Sequence, residues 1–204
     1  VNVYINNLSI PAVFWVTATS LVILASQNWR RCIAALALQY IGVFILSALN
    51  WPIEMAVTIL VAGWIASAVL SLAIGESTFP DEGVWSGRKV TRPSNPVFRV
   101  LVGGLVILTV QSLVTKAVVW IPEIHIAETW GGIMLFGMGL MQLGFSAQPS
   151  RVAISLLTIL SGFVILYAAV ESSALLAGLL AATNLGISLI GAYLVLAPNM
   201  EESK

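Results

Sequence analysis

The residues of this chain that could do chemistry are few, and most of them gather at the edges of long apolar stretches. An ionisable group close to hydrocarbon is costly, so each one is a candidate for proton or ion handling. Glu54 follows Asn50-Trp51-Pro52, where Pro52 suits the first position of a helix and Glu54 its first turn. The positive end of the helix dipole favours a carboxylate there, a structural reading that stands beside a proton or partner contact. Glu171 occupies the corresponding turn of a second stretch, where Ser172 or Ser173 can cap the following helix. Lys116 lies near the end of its own stretch and can either snorkel to the interface or take part in proton transfer.

Deeper in the apolar stretches come Gln39, Gln111, Gln142, Thr158, Ser161, Asn184 and Ser188. Neutral amides and hydroxyls in such places bond to a neighbouring helix at modest net worth. Gln39 and Asn184, the latter in the middle of Ala181-Ala182-Thr183-Asn184-Leu185-Gly186, can also orient water. The lone His125 falls in a predicted loop and reads as a solvated histidine. With the single Cys32 it leaves no metal site visible in the sequence and no intramolecular disulfide. A phosphate loop, a Ser/His/Asp array, a Cys-x-x-Cys pair and a spaced histidine pair for haem are all missing. No catalytic residue and no cofactor are therefore expected, and the chain is not expected to be an enzyme by itself.

The elements that hold these residues follow from composition. Hydrophobic residues make up 59% of the chain and charged residues 9%; mean hydropathy is +0.98. Soluble chains carry roughly a quarter charged residues, so an all-α integral membrane protein is expected. Net charge is zero, which offers no reason to expect nucleic acid. A spanning helix needs about 20 mainly apolar residues. Seven such spans can be drawn, at Ser9–Ala25, Cys32–Leu49, Ile53–Ile74, Val97–Val118, Thr129–Phe145, Val152–Val170 and Ser172–Leu196. The apolar residues run on without alternating, which argues against a β-barrel. The last two spans are separated only by a tight turn at Val170-Glu171-Ser172-Ser173. Residues 1–8 lack the basic start of a secretory signal.

Positive charge orients the spans. Arg30, Arg31, Arg88, Lys89, Arg92, Arg99, Arg151 and Lys204 fall on one side, whereas Glu54, Glu123, His125, Glu128 and Glu171 fall on the other with Lys116. The positive-inside rule then predicts an outer N-terminus and a cytoplasmic C-terminus. Trp51, Trp120, Trp130 and Tyr167 lie near outer boundaries and fit an interfacial aromatic belt. Prolines and turn formers between residues 76 and 96 predict an irregular cytoplasmic connection.

That connection joins two similar halves. At an offset of 120, Ser26 aligns with Ser146, Arg31 with Arg151, Leu36 with Leu156, Gly42 with Gly162, Ile45 with Ile165 and Ala48 with Ala168. Each half reads as helix, polar turn ending in Arg, helix, tight outer turn, helix. The expected organisation is a three-helix repeat at 1–75, the loop at 76–96, a connecting helix and outer loop at 97–127, a second repeat at 128–197 and a tail at 198–204. Both halves enter with the same orientation, so the repeat is parallel; inverted repeats of the alternating-access kind are not indicated. Gly63…Ser67…Ser71 and Gly178…Ala182…Gly186 give the third helix of each half a small-residue face suited to close packing on another helix.

The three-helix unit resembles the K subunit of respiratory complex I and its relative, the C subunit of multisubunit cation/proton antiporters. The resemblance is carried by Gly139-Leu-Met-Gln-Leu-Gly-Phe-Ser-Ala-Gln-Pro-Ser-Arg151, Ser161-Gly-Phe-Val-Ile-Leu-Tyr-Ala168 and Ala181-Ala-Thr-Asn-Leu-Gly-Ile-Ser188. In that family, membrane glutamates on the second and third helices belong to the proton path. Here the matching places hold Leu160 or Ser161 and Asn184, and in the first half Tyr40 or Ile41 and Gly63 or Trp64. Seven spans with two such units also resemble the E component of membrane-bound, energy-converting hydrogenases, with Ser26-Gln-Asn-Trp-Arg-Arg-Cys32 opening the first unit.

The resemblance implies a non-catalytic membrane subunit, scaffold or seal, of a proton- or cation-translocating complex in a prokaryotic plasma membrane. The implied partners are lipid and antiporter-like and other membrane subunits, with a membrane-bound oxidoreductase as the larger assembly. Arg30, Arg31 and Arg151 would hold cytoplasmic turns against partners or lipid phosphates. Glu54, Glu171, Lys116, Gln39 and Asn184 would be the groups available should protons pass. The alternative is a stand-alone transporter or channel acting as a homo-oligomer.

Overall fold

A computed structural model of the chain describes residues 2–26, 28–76, 96–120, 126–146 and 148–202. They form seven helices: α1 (Asn2–Ala25), α2 (Trp29–Ser47), α3 (Ile53–Glu76), α4 (Pro96–Trp120), α5 (Ile126–Phe145), α6 (Pro149–Ala168) and α7 (Ala174–Glu202). No strand occurs among the described residues. Six helices are long and apolar enough to cross a bilayer. In hydrocarbon a helix is the structure that satisfies its own backbone, which is why each apolar run becomes one. The chain is an all-α integral membrane protein. The exception, α5, holds Glu128, Gln142 and several glycines, and it packs against α1, α2, α4 and α6. Its polar groups are covered by protein, so the helix needs less hydrophobicity of its own.

Helix ends follow local chemistry. Helix α2 opens at Trp29, three residues before the expected Cys32, because Asn28 caps it, its Oδ1 accepting from the Arg30 amide at 3.1 Å. The Pro52 carbonyl accepts from the Met55 and Ala56 amides at 3.0 and 3.3 Å, so Pro52 caps α3 from outside instead of opening it. Glu54 remains in the first turn. Ser173 caps α7 through its carbonyl, 3.0 Å from the Ala177 amide. At its far end α7 runs on to Glu202, into the segment expected to be a tail. The connection containing Arg88, Lys89 and Arg92, the loop with Glu123 and His125, and Lys204 lie outside the described residues.

Two rows of three helices make up the bundle. Helices α1, α2 and α3 lie side by side, as do α5, α6 and α7; the rows stack with α1 on α5, α2 on α6 and α3 on α7. Helix α4 covers the α1/α5 end. Stacked helices run in the same direction. On α3 and α7, for example, Gly63 adjoins the Tyr40–Asn184 pair and Gly191 adjoins Leu70, so the two helices advance together. Leu36, Tyr40, Leu46, Ile59, Leu70, Leu135, Leu157 and Ile165 form a core that spans both rows.

Lipid tails are as apolar as leucine, so helices here associate by close packing and interhelical bonds. Each row draws its second helix onto its first through a glycine. A Cβ on Gly162 of α6 would stand 2.7 Å from the Gly132 carbonyl oxygen and 2.8 Å from the Phe136 amide nitrogen of α5. Gly42 of α2 abuts Val16 and Trp15 of α1 in the same way. The α7 stripe behaves differently. Gly178 and Ala182 are exposed, and among the described residues nothing lies within 4 Å of a Cβ built on Gly178 or Gly186, so no described helix packs on this face. Gly162→Leu should therefore destabilise the purified protein by about 3 kcal/mol, the upper range for overpacking. Gly178→Leu should change stability by less than about 0.5 kcal/mol. Unfolding temperatures of the two variants in detergent check the contrast.

Candidate intramembrane polar site

The centre of the bundle is polar but uncharged. Helix α2 supplies Gln39 and Tyr40, α6 supplies Thr158 and Ser161, and α7 supplies Asn184; all five side chains are 0% exposed. The Tyr40 ring occupies the space left by the missing side chain of Gly63 on α3. Its hydroxyl donates to Asn184 Oδ1 at 2.8 Å, and the Ser161 hydroxyl lies beside the same phenol. Thr158 and Ser161 donate to the Ile154 and Leu157 carbonyls one turn back, at 2.9 and 2.8 Å. Ser67 does the same to Gly63 at 2.8 Å.

Several amide atoms are left over. Both polar atoms of Gln39, Nδ2 of Asn184 and Oε1 of Gln142 are buried without a partner among the described residues. Such groups each cost about 1–3 kcal/mol unless something else satisfies them. Gln142 does spend its Nε2 on the Ser20 carbonyl, at 3.5 Å. The arrangement can orient water or extend a hydrogen-bond chain. It has no carboxylate or amine to store a charge at mid-depth.

One pole of the bundle is basic. Cys32, Arg99, Gln142, Ser146, Arg151 and Ser155 help line a small open cleft. Its donors serve the carbonyls at the end of α1, which have no helical partner. Arg151 Nη1 donates to Ser26 O at 3.2 Å, Arg99 Nη1 to Leu24 O at 3.4 Å and Cys32 Sγ to Ser26 O at 3.6 Å. Guanidinium charge also suits the negative end of a helix dipole. Arg151 further donates from Nε to Gln148 Oε1 at 3.1 Å. Arg31 is exposed, and so is Arg30, which lies 5.2 Å over the Trp29 ring. Of the three turn arginines, Arg151 is the one that ties helices together.

At the opposite pole the predicted candidates do not converge. Glu54, Glu171 and Lys116 are all exposed. The acid that is buried there is Glu128, 0% exposed in the first turn of α5, with Oε2 accepting from Asn50 Nδ2 at 2.7 Å. In the sequence Glu128 stands out only as a charge on the outer side. Its first-turn placement was visible, but Glu54 shares that feature, so it could not single out the buried acid. Arg99, which the sequence marks only as one of the charges on the positive side, is 6% exposed.

Trp51 departs from the aromatic-belt expectation. It is 3% exposed, donates from Nε1 to the Glu171 carbonyl at 2.8 Å and packs edge-on to Tyr167 at 6.2 Å. An indole whose N–H finds a protein partner can sit inside, where it pins the two outer turns. Trp130 is half-buried and donates to Gln111 Oε1 at 2.8 Å, while the Trp120 side chain lies outside the described residues.

Fold and interior together define an all-helical integral membrane protein with a neutral polar centre and, among the described residues, one deeply buried acid near a helix end. No family model, curated protein or solved structure is significantly similar to the chain. Among the described residues no three His, Cys, Asp or Glu side chains group as metal ligands.

Removing the phenol of Tyr40 leaves Asn184 without its donor, so Tyr40→Phe should lower stability by about 1–2 kcal/mol, read as a reduced unfolding temperature. Asn50→Asp replaces the amide facing Glu128 with a second acid. It should cost about 2–3 kcal/mol at neutral pH and clearly more than Asn50→Ser, both measured by thermal unfolding in the same detergent.

Proposed function

We propose that the chain is a non-catalytic membrane subunit of a complex I-like or hydrogenase-like proton- or cation-translocating assembly in a prokaryotic plasma membrane. It acts as a scaffold or seal between neighbouring membrane subunits. The observation that carries this reading is the neutral centre. Moving protons through a membrane calls for titratable groups at mid-depth, and Gln39, Tyr40, Thr158, Ser161 and Asn184 occupy those depths instead. Glu128, the buried acid, belongs to a helix end.

In this reading residues 1–75 and 128–197 are a duplicated three-helix unit in parallel orientation. Support comes from helix ends: α1 and α5 finish at Ala25 and Phe145, and α2 and α6 begin at Trp29 and Pro149, 120 residues apart in both cases. Gly42 and Gly162, aligned at that offset, serve equivalent contacts. Half-turn symmetry would set α1 opposite α7, whereas the observed stack pairs α1 with α5 and suits a unit repeated by a shift. The positive-inside rule makes the basic pole cytoplasmic, with an outer N-terminus and a cytoplasmic C-terminus.

Exposed Arg30 and Arg31 are available to a partner or to lipid phosphates. The open Gly178, Ala182 and Gly186 face of α7 suits a helix of an antiporter-like subunit. Gentle solubilisation of the native membrane should bring antiporter-like or redox subunits down with the chain. A lone monomer or homo-oligomer, together with ion flux in proteoliposomes containing this chain alone, would instead establish a stand-alone transporter or channel.

A further inference from the structure

The unpartnered amides lie along a line of polar groups that leads inward from the basic pole. On α6, Arg151, Ser155, Thr158 and Ser161 recur at spacings of four and three, which puts them on one stripe. The three hydroxyls are buried: Ser155 is 1% exposed, and Thr158 and Ser161 are 0% exposed. Arg151 and Ser155 line the cleft, and Ser161 lies beside the Tyr40 hydroxyl, so the stripe runs from the cleft to the centre. At 1.5 Å per residue it covers about 15 Å, half the thickness of a bilayer core.

Gln142, with its unpartnered Oε1, lines the same cleft from α5. Gln39 lies two turns before Leu46 on α2, on the stripe that meets α5 where Leu46 fills the space at Gly131. Beyond the centre the buried wall turns apolar, with Val43 and Leu46 on α2 and Val164, Ile165 and Ala168 on α6.

A primary amide offers two donors and an acceptor oxygen with two lone pairs. Buried waters settle where 2–4 polar groups converge, and they are the usual partners of otherwise unsatisfied interior groups. Along α6 the hydroxyl oxygens of Ser155, Thr158 and Ser161 keep acceptor capacity, and Gln39 and the Asn184 Nδ2 group add unpartnered amide atoms at the same depth, all without a charged residue.

We propose that ordered water enters at the basic-pole cleft and reaches Gln39, Tyr40 and Asn184, making a hydrated half-channel that ends at mid-membrane. The apolar wall beyond Ser161 closes it. This inference goes beyond the scaffold reading and does not depend on which assembly the chain joins.

Hydroxyl-radical footprinting of the full chain in lipid nanodiscs tests it, because radicals formed from bound water oxidise the side chains beside that water. Tyr40, 0% exposed, should be modified within about fivefold of the half-buried Tyr167. Gln39→Leu combined with Asn184→Leu should cut Tyr40 modification by at least about fivefold while leaving Tyr193 unchanged. Should the leucine variant fail to fold, the near-isosteric Thr158→Val is expected to cut it at least about twofold. An unmodified Tyr40 in the wild-type chain, or a rate unchanged in the folded variants, overturns the half-channel.

Discussion

The hydrogen bond from the Tyr40 hydroxyl to Asn184, 2.8 Å long at the centre of the bundle, is the contact on which the mutual fit of the two rows depends. A phenol and an amide brought into a hydrocarbon-embedded core need partners from the protein. That requirement sets the spacing of four helices. The ring can lie flush against α3 because position 63 is glycine, the hydroxyl reaches α7, and Ser161 on α6 lies beside it. Any side chain at Gly63 would push α3 away and break the register between the rows.

Two further bonds fasten the rows nearer their ends. Arg151 on α6 holds the Ser26 carbonyl at the basic pole, and Trp51 after α2 holds the Glu171 carbonyl at the other. With fasteners at three depths, sliding one row against the other would break hydrogen bonds that lipid cannot replace. Close backbone contact at Gly162 stiffens the second row further. The outcome is a slab whose helices are locked to one another, while a few amides inside it still lack protein partners. Rigidity of this kind agrees with the proposed role as scaffold, and the unpaired amides are what call for water.

Much of the architecture was legible in the residues. Seven apolar runs became seven helices, and the break at Glu171-Ser172-Ser173 separated the last two, because hydropathy and turn chemistry act along the chain itself. Gln39 and Asn184 could be named as interior polar groups since their distance from both ends of a span is a matter of counting. The side each group faces was not legible. Glu54 and Glu128 both occupy the first turn of a helix, yet one is exposed and the other wholly buried under the α2–α3 turn. Trp51 looked like an interfacial residue by its depth and proved to be an internal pin. The matched small-residue stripes on α3 and α7 diverged as well, one covered by Tyr40 and the other open.

The reason is physical. Depth in a membrane is written along the sequence, because only apolar residues tolerate hydrocarbon and charges collect at the boundaries. The direction a residue faces is not, because lipid and protein interior are nearly equivalent solvents for leucine and alanine, and a uniformly apolar helix carries little to mark its inner face. The sequence by itself determined a membrane protein of apolar helices with charge-poor interiors and a basic side. Tertiary packing alone decided that α1 stacks on α5 and α3 on α7, that Arg99 and Glu128 are buried, and that Tyr40 of α2 meets Asn184 of α7. Those choices rest on glycine contacts and hydrogen bonds between residues more than a hundred positions apart, and such pairings exist only once the rows have packed.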